Sequence, residues 1–416
     1  MTLRVLYSFP FKFGRTGIGV TARQQVRGLV EQGARVTLAA GVIERPVEGV
    51  EYSFETMRLG GVRMPHRVVG KLNALRYHDR RVASALRRSS DRIDIVHAWP
   101  TGALQTLDTA RRFLIPSVLE RPNTHSRHAH EVVQAEYLRL GMPMEECNTH
   151  AFDPRRMARE EAEYAAAWRL ACPSEAVAAS FREFGYPESR LLRHRYGCDA
   201  ERFLRHTGTA KSASQDRPFT VVFVGRCEPR KGLHFALRAW ADSTASRHGR
   251  FWICGEFSPG YESCLGPLLR SSGVQSLGFV RNVEERMRDA DVLVLSSVEE
   301  GSALVTYEAR ACGCVLAVSE AAGAMARHDH DALVHPVGDS TQLTQDFDRL
   351  SGQPDLLDRL RTHSLAAADD LSWSAAGQVL HDKLRGVVSA WEPTPYRQPE
   401  APVTQTDLPH SVIPSH

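Results

Sequence analysis

The sequence has no paired cysteine spacing, no long apolar run and little net charge, and each lack removes a class of function. Its eight cysteines (147, 172, 198, 227, 254, 264, 312 and 314) are scattered, with no C-x2-C pair. That pattern excludes a zinc ribbon and a disulfide framework as expectations. Several cysteines fall inside apolar strands, as Cys254 does in Phe251-Trp252-Ile253-Cys254, and read as reduced, buried thiols of a cytoplasmic protein. No uninterrupted apolar stretch is long enough to span a bilayer. Leu3-Arg4-Val5-Leu6-Tyr7-Ser8 lacks the apolar core of a signal peptide and reads as a first β-strand. A formal charge of +3 is too small to indicate nucleic acid. What remains, with 42% hydrophobic and 24% charged residues, is the composition of a soluble globular protein. A chain of 416 residues exceeds one ordinary core, so two domains and a tail are expected.

The chain alternates strands and helices twice over. Strand-like runs at 3–8, 35–40, 94–98 and 116–120 are separated by helical stretches near 20–32, 102–113, 131–140 and 155–168. Such alternation predicts a parallel sheet wound with helices on both faces. A polar, small-residue stretch at 207–216 then reads as a linker. Alternation resumes with strands near 219–224, 250–254, 275–279, 291–295 and 314–318. The predicted fold class is therefore α/β, two doubly wound Rossmann-like domains facing a central cleft, with ligand crevices at the carboxyl ends of the strands. The expected divisions are a domain over 1–206, a linker over 207–218, a second domain over 219–372, a helix over 373–391 and a disordered tail over 392–416. Helical apolar spacing at Val379, Leu380, Leu384, Val387 and Val388 supports the helix, and the proline-rich end supports the tail.

Glu300 and Glu308 stand eight positions apart, between an apolar strand (Val292 to Leu295) and a helix that begins after a loop containing Gly301. A strand, a loop and a helix start offer free backbone N–H groups to a phosphate. Two carboxylates at such a loop suit hydroxyl groups instead, because each accepts two strong hydrogen bonds from a sugar or ribose diol. Phosphate and sugar together point to a sugar nucleotide. Upstream, the buried strand Phe219 to Val224 runs into Gly225-Arg226-Cys227-Glu228-Pro229-Arg230-Lys231-Gly232. A departing pyrophosphate gains negative charge, and two fixed cations, Arg226 as a fork and Lys231 as a point charge, stabilise it most at that moment.

These two segments, in this order, resemble the G-R-x4-K-G and E-x7-E motifs of retaining glycosyltransferases of family 4, which have the GT-B fold. The resemblance implies transfer of a sugar from a UDP- or GDP-linked donor to a glycan, lipid or small-molecule acceptor, with retention at the anomeric carbon. It assigns Glu308 to the ribose diol, Glu300 to the donor sugar, and Arg226 and Lys231 to the diphosphate. Gly225, Gly301 and the backbone of Ser302, Ala303, Leu304 and Val305 would complete the donor site. It also implies that the final helix crosses back onto the first domain. No cofactor and no metal are expected.

The first domain matches the family in pattern more than in motif. Gly14-Arg15-Thr16-Gly17-Ile18-Gly19 follows the first strand and resembles the family's glycine-rich first loop, so Gly17 and Gly19 are candidate donor contacts. The nicotinamide alternative would be Gly17, Gly19 and Ala22, but Ala39, Ala40 and Gly41 put no acid at the end of the second strand. A histidine facing the transferred sugar is expected in the loop after a strand. His125 in Glu120-Arg121-Pro122-Asn123-Thr124-His125 is the first candidate, and His97 the second. His125, His128 and His130 form H-x2-H-x-H, which lacks helical i, i+4 spacing and favours loop histidines over a zinc site. The segment Arg63 to Arg92 carries nine basic residues against Asp79 and Asp91, with Val68, Leu72, Leu75, Val82 and Leu86 at helical spacing. An ordinary packed helix with a solvated cationic face is favoured over a peripheral contact with anionic membrane. Glu160, Glu161 and Glu163 read as surface carboxylates.

Two departures from the family pattern stand out. Ala311-Cys312-Gly313-Cys314-Val315 lacks the usual proline, and Ala321-Ala322-Gly323-Ala324-Met325-Ala326-Arg327 replaces a glycine pair and glutamate. The second implies a shifted donor preference. A GT-B sugar-nucleotide epimerase and a non-catalytic sugar-nucleotide-binding protein are the alternatives.

Overall fold

A computed structural model describes residues 2–392 apart from 16, 60, 61, 64–69, 146, 147 and 204–216. Val68, the linker core 207–216 and the tail from 393 therefore lie outside the described residues. The first sheet has seven parallel strands: β1 (Arg4–Phe13), β2 (Arg35–Ile43), β3 (Tyr52–Glu55), β4 (Ile95–Ala98), β5 (Ser117–Glu120), β6 (Arg169–Cys172) and β7 (Leu191–Arg193), in the order β3-β2-β1-β4-β5-β6-β7. The second has six: β8 (Thr220–Val224), β9 (Arg250–Cys254), β10 (Val274–Gly278), β11 (Val292–Leu295), β12 (Val315–Ser319) and β13 (Ala332–His335), in the order β10-β9-β8-β11-β12-β13. Strands such as Val292 to Leu295 are fully buried because helices cover both sheet faces. In each sheet the strand order reverses beside the first strand, between β1 and β4 and between β8 and β11. The crevice at the carboxyl ends of those strands is where such folds bind ligands.

The helices that position the cleft are α1 (Ile18–Glu31), α2 (Lys71–Ser89), α3 (Leu104–Arg112), α4 (Ser126–Arg139), α5 (Pro154–Ala166), α6 (Glu175–Glu183), α7 (Leu233–Asp242), α8 (Leu304–Ala311) and α9 (Trp373–Ser389). Helix α4 starts five residues before the expected 131, at Ser126, since the His125 imidazole accepts the Arg127 N–H at 3.3 Å as its cap. Helix α2 buries Leu75, Val82 and Leu86 and exposes Arg76, Arg80, Arg87 and Arg88, a packed helix with a solvated cationic face.

The chain passes between the lobes at two places that lie side by side. Cys198 N donates to the Leu371 carbonyl at 2.7 Å, and Trp373 N donates to the Cys198 carbonyl at 3.3 Å. Gly197 is required there, because a Cβ would meet the Ser372 carbonyl oxygen at 2.6 Å. Helix α9 then returns to the first lobe, where Leu380, Leu384 and Val387 join Val5, Val26 and Leu29 in one core. It meets α1 at Gly28 and Gly377, so closely that a Cβ on Gly28 would lie 2.5 Å from the Gly377 Cα.

Candidate active site

Because β8 and β11 are hydrogen-bonded neighbours, the loops that follow them meet. Gly232 sits in the left-handed region (φ 67°), and a Cβ there would lie 1.8 Å from the Ser296 carbonyl oxygen. Only glycine combines that backbone with that approach. The contact brings Lys231 onto Glu300: the ammonium donates to Glu300 Oε1, and Ser297 Oγ donates to the same oxygen at 3.3 Å. Arg230 completes the group, 3.1 Å from Glu300 and donating at 2.8 Å to the Glu299 carbonyl. Burial alone would raise the Glu300 carboxyl, but Arg230 and Lys231 override it and bring it down to about 2. Glu300 is therefore an ionised, buried carboxylate held by two cations. Arg226 lies apart from it: its side chain is 64% exposed and its partner is Glu228, at 3.8 Å.

Glu308, on α8, has no hydrogen bond to its carboxylate among the described residues, and burial pushes it up to about 7. At the start of α8 no side chain caps the helix. Ala303 N donates to the Ala322 carbonyl, whereas Leu304 and Val305 N–H have no partner among the described residues. Ser302 Oγ is taken up by the Tyr307 hydroxyl and the Gly323 carbonyl. Gly301 touches the opposite lobe, where a Cβ would overlap the Pro122 carbonyl oxygen at 1.6 Å. The loop that replaces the family's glycine pair thus packs against 301–303 through Gly323 and Ala322. Beyond β8, β9 and β10, Gly225, Arg226, Gly255, Phe257, Phe279 and Val280 line a pocket of about 520 Å³, and Phe279 is 75% exposed beside it.

Four residues of the cleft escaped sequence reasoning: Arg230, Glu299, Thr124 and His150. Thr124 Oγ1 donates to the fully buried Glu299 across the lobes at 2.7 Å, and His150 Nε2 lies 3.8 Å from the same carboxylate. Arg230 could have been found as a third cation in the motif, but spacing does not tell which cation turns inward.

In the first lobe Gly17 (φ 52°) caps α1 with open space on its side-chain face, while a Cβ on Gly19 would meet the Lys12 carbonyl oxygen at 2.3 Å. His125 is 2% exposed, stacked on Phe184 at 4.0 Å and ringed by Tyr164, Phe181 and Tyr186. Burial holds it down at about 3, a neutral ring. His97 lies in β4, stacked on Tyr7 and 3.1 Å from the buried Glu120, which also receives the Tyr196 hydroxyl at 2.7 Å and lies 3.0 Å from His194. Both rings are thus enclosed by the first lobe's own side chains. The expectation of loop histidines is corrected, since His128 and His130 lie on α4; His128 pairs with Glu183 and His130 with the His150 carbonyl, so the histidines of H-x2-H-x-H turn to separate partners. The expectation of surface carboxylates on α5 is corrected: Glu163 is fully buried and accepts Thr101 N and Ala103 N, and Glu160 is buried beside Tyr164 and Ser126. Only Glu161, on Arg127, stays outside. The seven described cysteines form no disulfide with one another, and Cys264 alone among them is exposed. No described helix is long and apolar enough to cross a membrane.

Comparison with known proteins agrees with this geometry. The model of the family "Glycosyltransferase Family 4" matches residues 15–202, and that of "Glycosyl transferases group 1" matches 218–353. The chain is 26% identical over 312 residues to a D-inositol 3-phosphate glycosyltransferase of Streptomyces bingchenggensis, covering 70% of this chain and 66% of that one, a little under two thirds. Among solved structures it resembles sucrose-phosphate synthase from Thermosynechococcus elongatus (TM-score 0.65, 17% identity, 94% of this chain and 100% of that one). It also resembles HepE of Anabaena in complex with UDP (TM-score 0.61, 14% identity, 93% of this chain and 100% of that one). One family model on each lobe, a shared two-domain fold and the meeting of the two motifs in one crevice lead to one conclusion: the chain belongs to the family 4, group 1 glycosyltransferases of the GT-B fold.

Proposed function

We propose that the protein is a retaining glycosyltransferase that moves a sugar from a nucleoside-diphosphate sugar to a hydroxyl-bearing acceptor. The observation that carries this reading is the buried Glu300–Lys231–Arg230 group beside the uncapped start of α8. The pocket under Phe279 has the size and apolar lining for a nucleobase, and the similar HepE structure holds UDP. The diphosphate would lie between Arg226, Lys231 and the free N–H groups of Leu304 and Val305. Glu308, once ionised, would accept the ribose diol, and Glu300 the hydroxyls of the sugar. The acceptor oxygen bonds to the anomeric carbon while the bond from that carbon to the phosphate oxygen breaks. The electron pair leaves with the diphosphate, which takes the acceptor's proton on the same face. Arg226, Arg230 and Lys231 supply the positive charge for that departure, so this reading needs no metal and no cofactor. Loss of one such preorganised contact costs about 3–4 kcal/mol in the transition state.

Thermal-shift titration with nucleoside diphosphates and their sugars, on the native chain and on Lys231→Ala and Glu308→Ala, tests this. One nucleotide should raise the melting temperature of the native chain, with a smaller shift in both variants. With the matching sugar nucleotide as donor and an acceptor present, Lys231→Ala should release nucleoside diphosphate at least a hundredfold more slowly than the native chain. An altered sugar nucleotide without transfer would indicate an epimerase. Binding without turnover would leave a sugar-nucleotide-binding protein, and no shift with any nucleotide would reject the reading.

A further inference from the structure

Three cavities adjoin one another along the cleft. The pocket under Phe279 shares Arg226 with a small cavity of about 120 Å³ between the lobes. Tyr137, Glu145 and Asn148 of the first lobe and Arg226, Glu228 and Ser258 of the second stand around it. Ser258 is 7% exposed, and its buried hydroxyl has no hydrogen-bond partner among the described residues. The Tyr137 hydroxyl accepts from Asn148 at 3.3 Å. Hydroxyl, amide, carboxylate and guanidinium groups around one aromatic ring form a set that binds a polyhydroxylated ring.

Tyr137 and Pro143 also line a third cavity of about 560 Å³, where His130, Gln134 and Asp153 share the wall with apolar side chains. Leu138 and Phe152, 69% and 63% exposed, border it together with Met142 and Met144. Exposed apolar side chains gathered at a groove mark a binding surface, and methionines adapt to flexible apolar ligands. We propose that the acceptor is an amphiphile, with its hydroxylated head in the small cavity beside Arg226 and its hydrocarbon chain in the groove of Leu138, Met142, Met144 and Phe152. The shared lining at Tyr137 and Pro143 joins the two cavities, which assigns the groove to the substrate's own tail. The proposal rests on the glycosyl-transfer reading only in calling this ligand the acceptor.

Calorimetric titration of the full chain with methyl, hexyl and octyl β-glucosides, below their micellar concentrations, tests it. Affinity should rise with chain length, by roughly fourfold for each methylene buried. In the double variant Leu138→Ser/Phe152→Ser the series should flatten, while the nucleotide-induced thermal shift stays as in the native chain. A flat series in the native chain, or one that climbs equally in the variant, overturns the proposal. So does a flat series accompanied by binding to phosphatidylglycerol vesicles that the variant loses, which would make the patch a membrane surface. A rising series in a protein that binds no nucleotide would keep the amphiphile site and sink glycosyl transfer instead.

Discussion

The Glu308 carboxyl titrates near 7 in the folded protein because burial disfavours its charge, against an ordinary value of 4.5. As pH rises through that window the unfolded chain gives up this proton while the folded one keeps it, so folding weakens with rising pH and levels off above 7. Glu308→Gln is therefore expected to match the native chain at pH 4 and to exceed it by about 1–3 kcal/mol at pH 8, read from urea denaturation at both values. An equal difference at the two pH values would show that the carboxyl is not shifted. The same proton governs ligand binding in the proposed reading, since only the ionised form accepts a diol through both oxygens. Part of this site could be read in the sequence: Glu300 and Glu308 stand out by their spacing, and Lys231 by the resemblance of its segment to the family's G-R-x4-K-G motif. Arg230 and Thr124 do not, because inward orientation of a cation, or a hydroxyl meeting Glu299 from the other lobe, depends on contacts that spacing does not encode.

At the scale of elements, the crossing of α1 and α9 at Gly28 and Gly377 admits no side chain between the helices. Any side chain at either position would hold the helices apart and leave Leu380, Leu384 and Val387 short of the core they complete. Gly377→Val is expected to lower stability by about 2–4 kcal/mol, seen as a lower denaturation midpoint. An unchanged midpoint would mean that α9 docks with room to spare. The apolar spacing of α9 could be read in the sequence, but its partner glycine lies at the other end of the chain. Strands β3, β7 and β13 went unseen for a different reason. They are three or four residues long and take in Tyr52, Arg193 and His335, so only β13 holds a buried run, and Ala332-Leu333-Val334 is too short to tell a strand from a helical turn. Helix α4 was read late because Ser126 to His130 carries no apolar period, and a histidine is an uncommon cap.

Across the whole molecule, the two lobes touch where Gly301 meets Pro122 and where Thr124 reaches Glu299. Gly301→Ala should push that contact apart. Small-angle scattering is expected to give a larger radius of gyration for the variant than for the native chain, and superimposable profiles would show that the loop yields locally instead. The two-domain fold was the most legible feature, since alternating buried strands and helical stretches recur on both sides of the polar stretch at 207–216. The lobe-to-lobe contacts were the least legible, since residues far apart in the sequence make them, as Thr124 does with Glu299 and Glu136 with His234. The return of α9 to the first lobe also sets an order of events during synthesis. The second lobe's core draws on Tyr196 through Leu371, with Trp373 packed against it, whereas the first lobe's core includes Leu380, Leu384 and Val387. On the ribosome, the lobe that emerges first thus cannot be finished first: it must wait, with one flank of α1 uncovered, until α9 has been made.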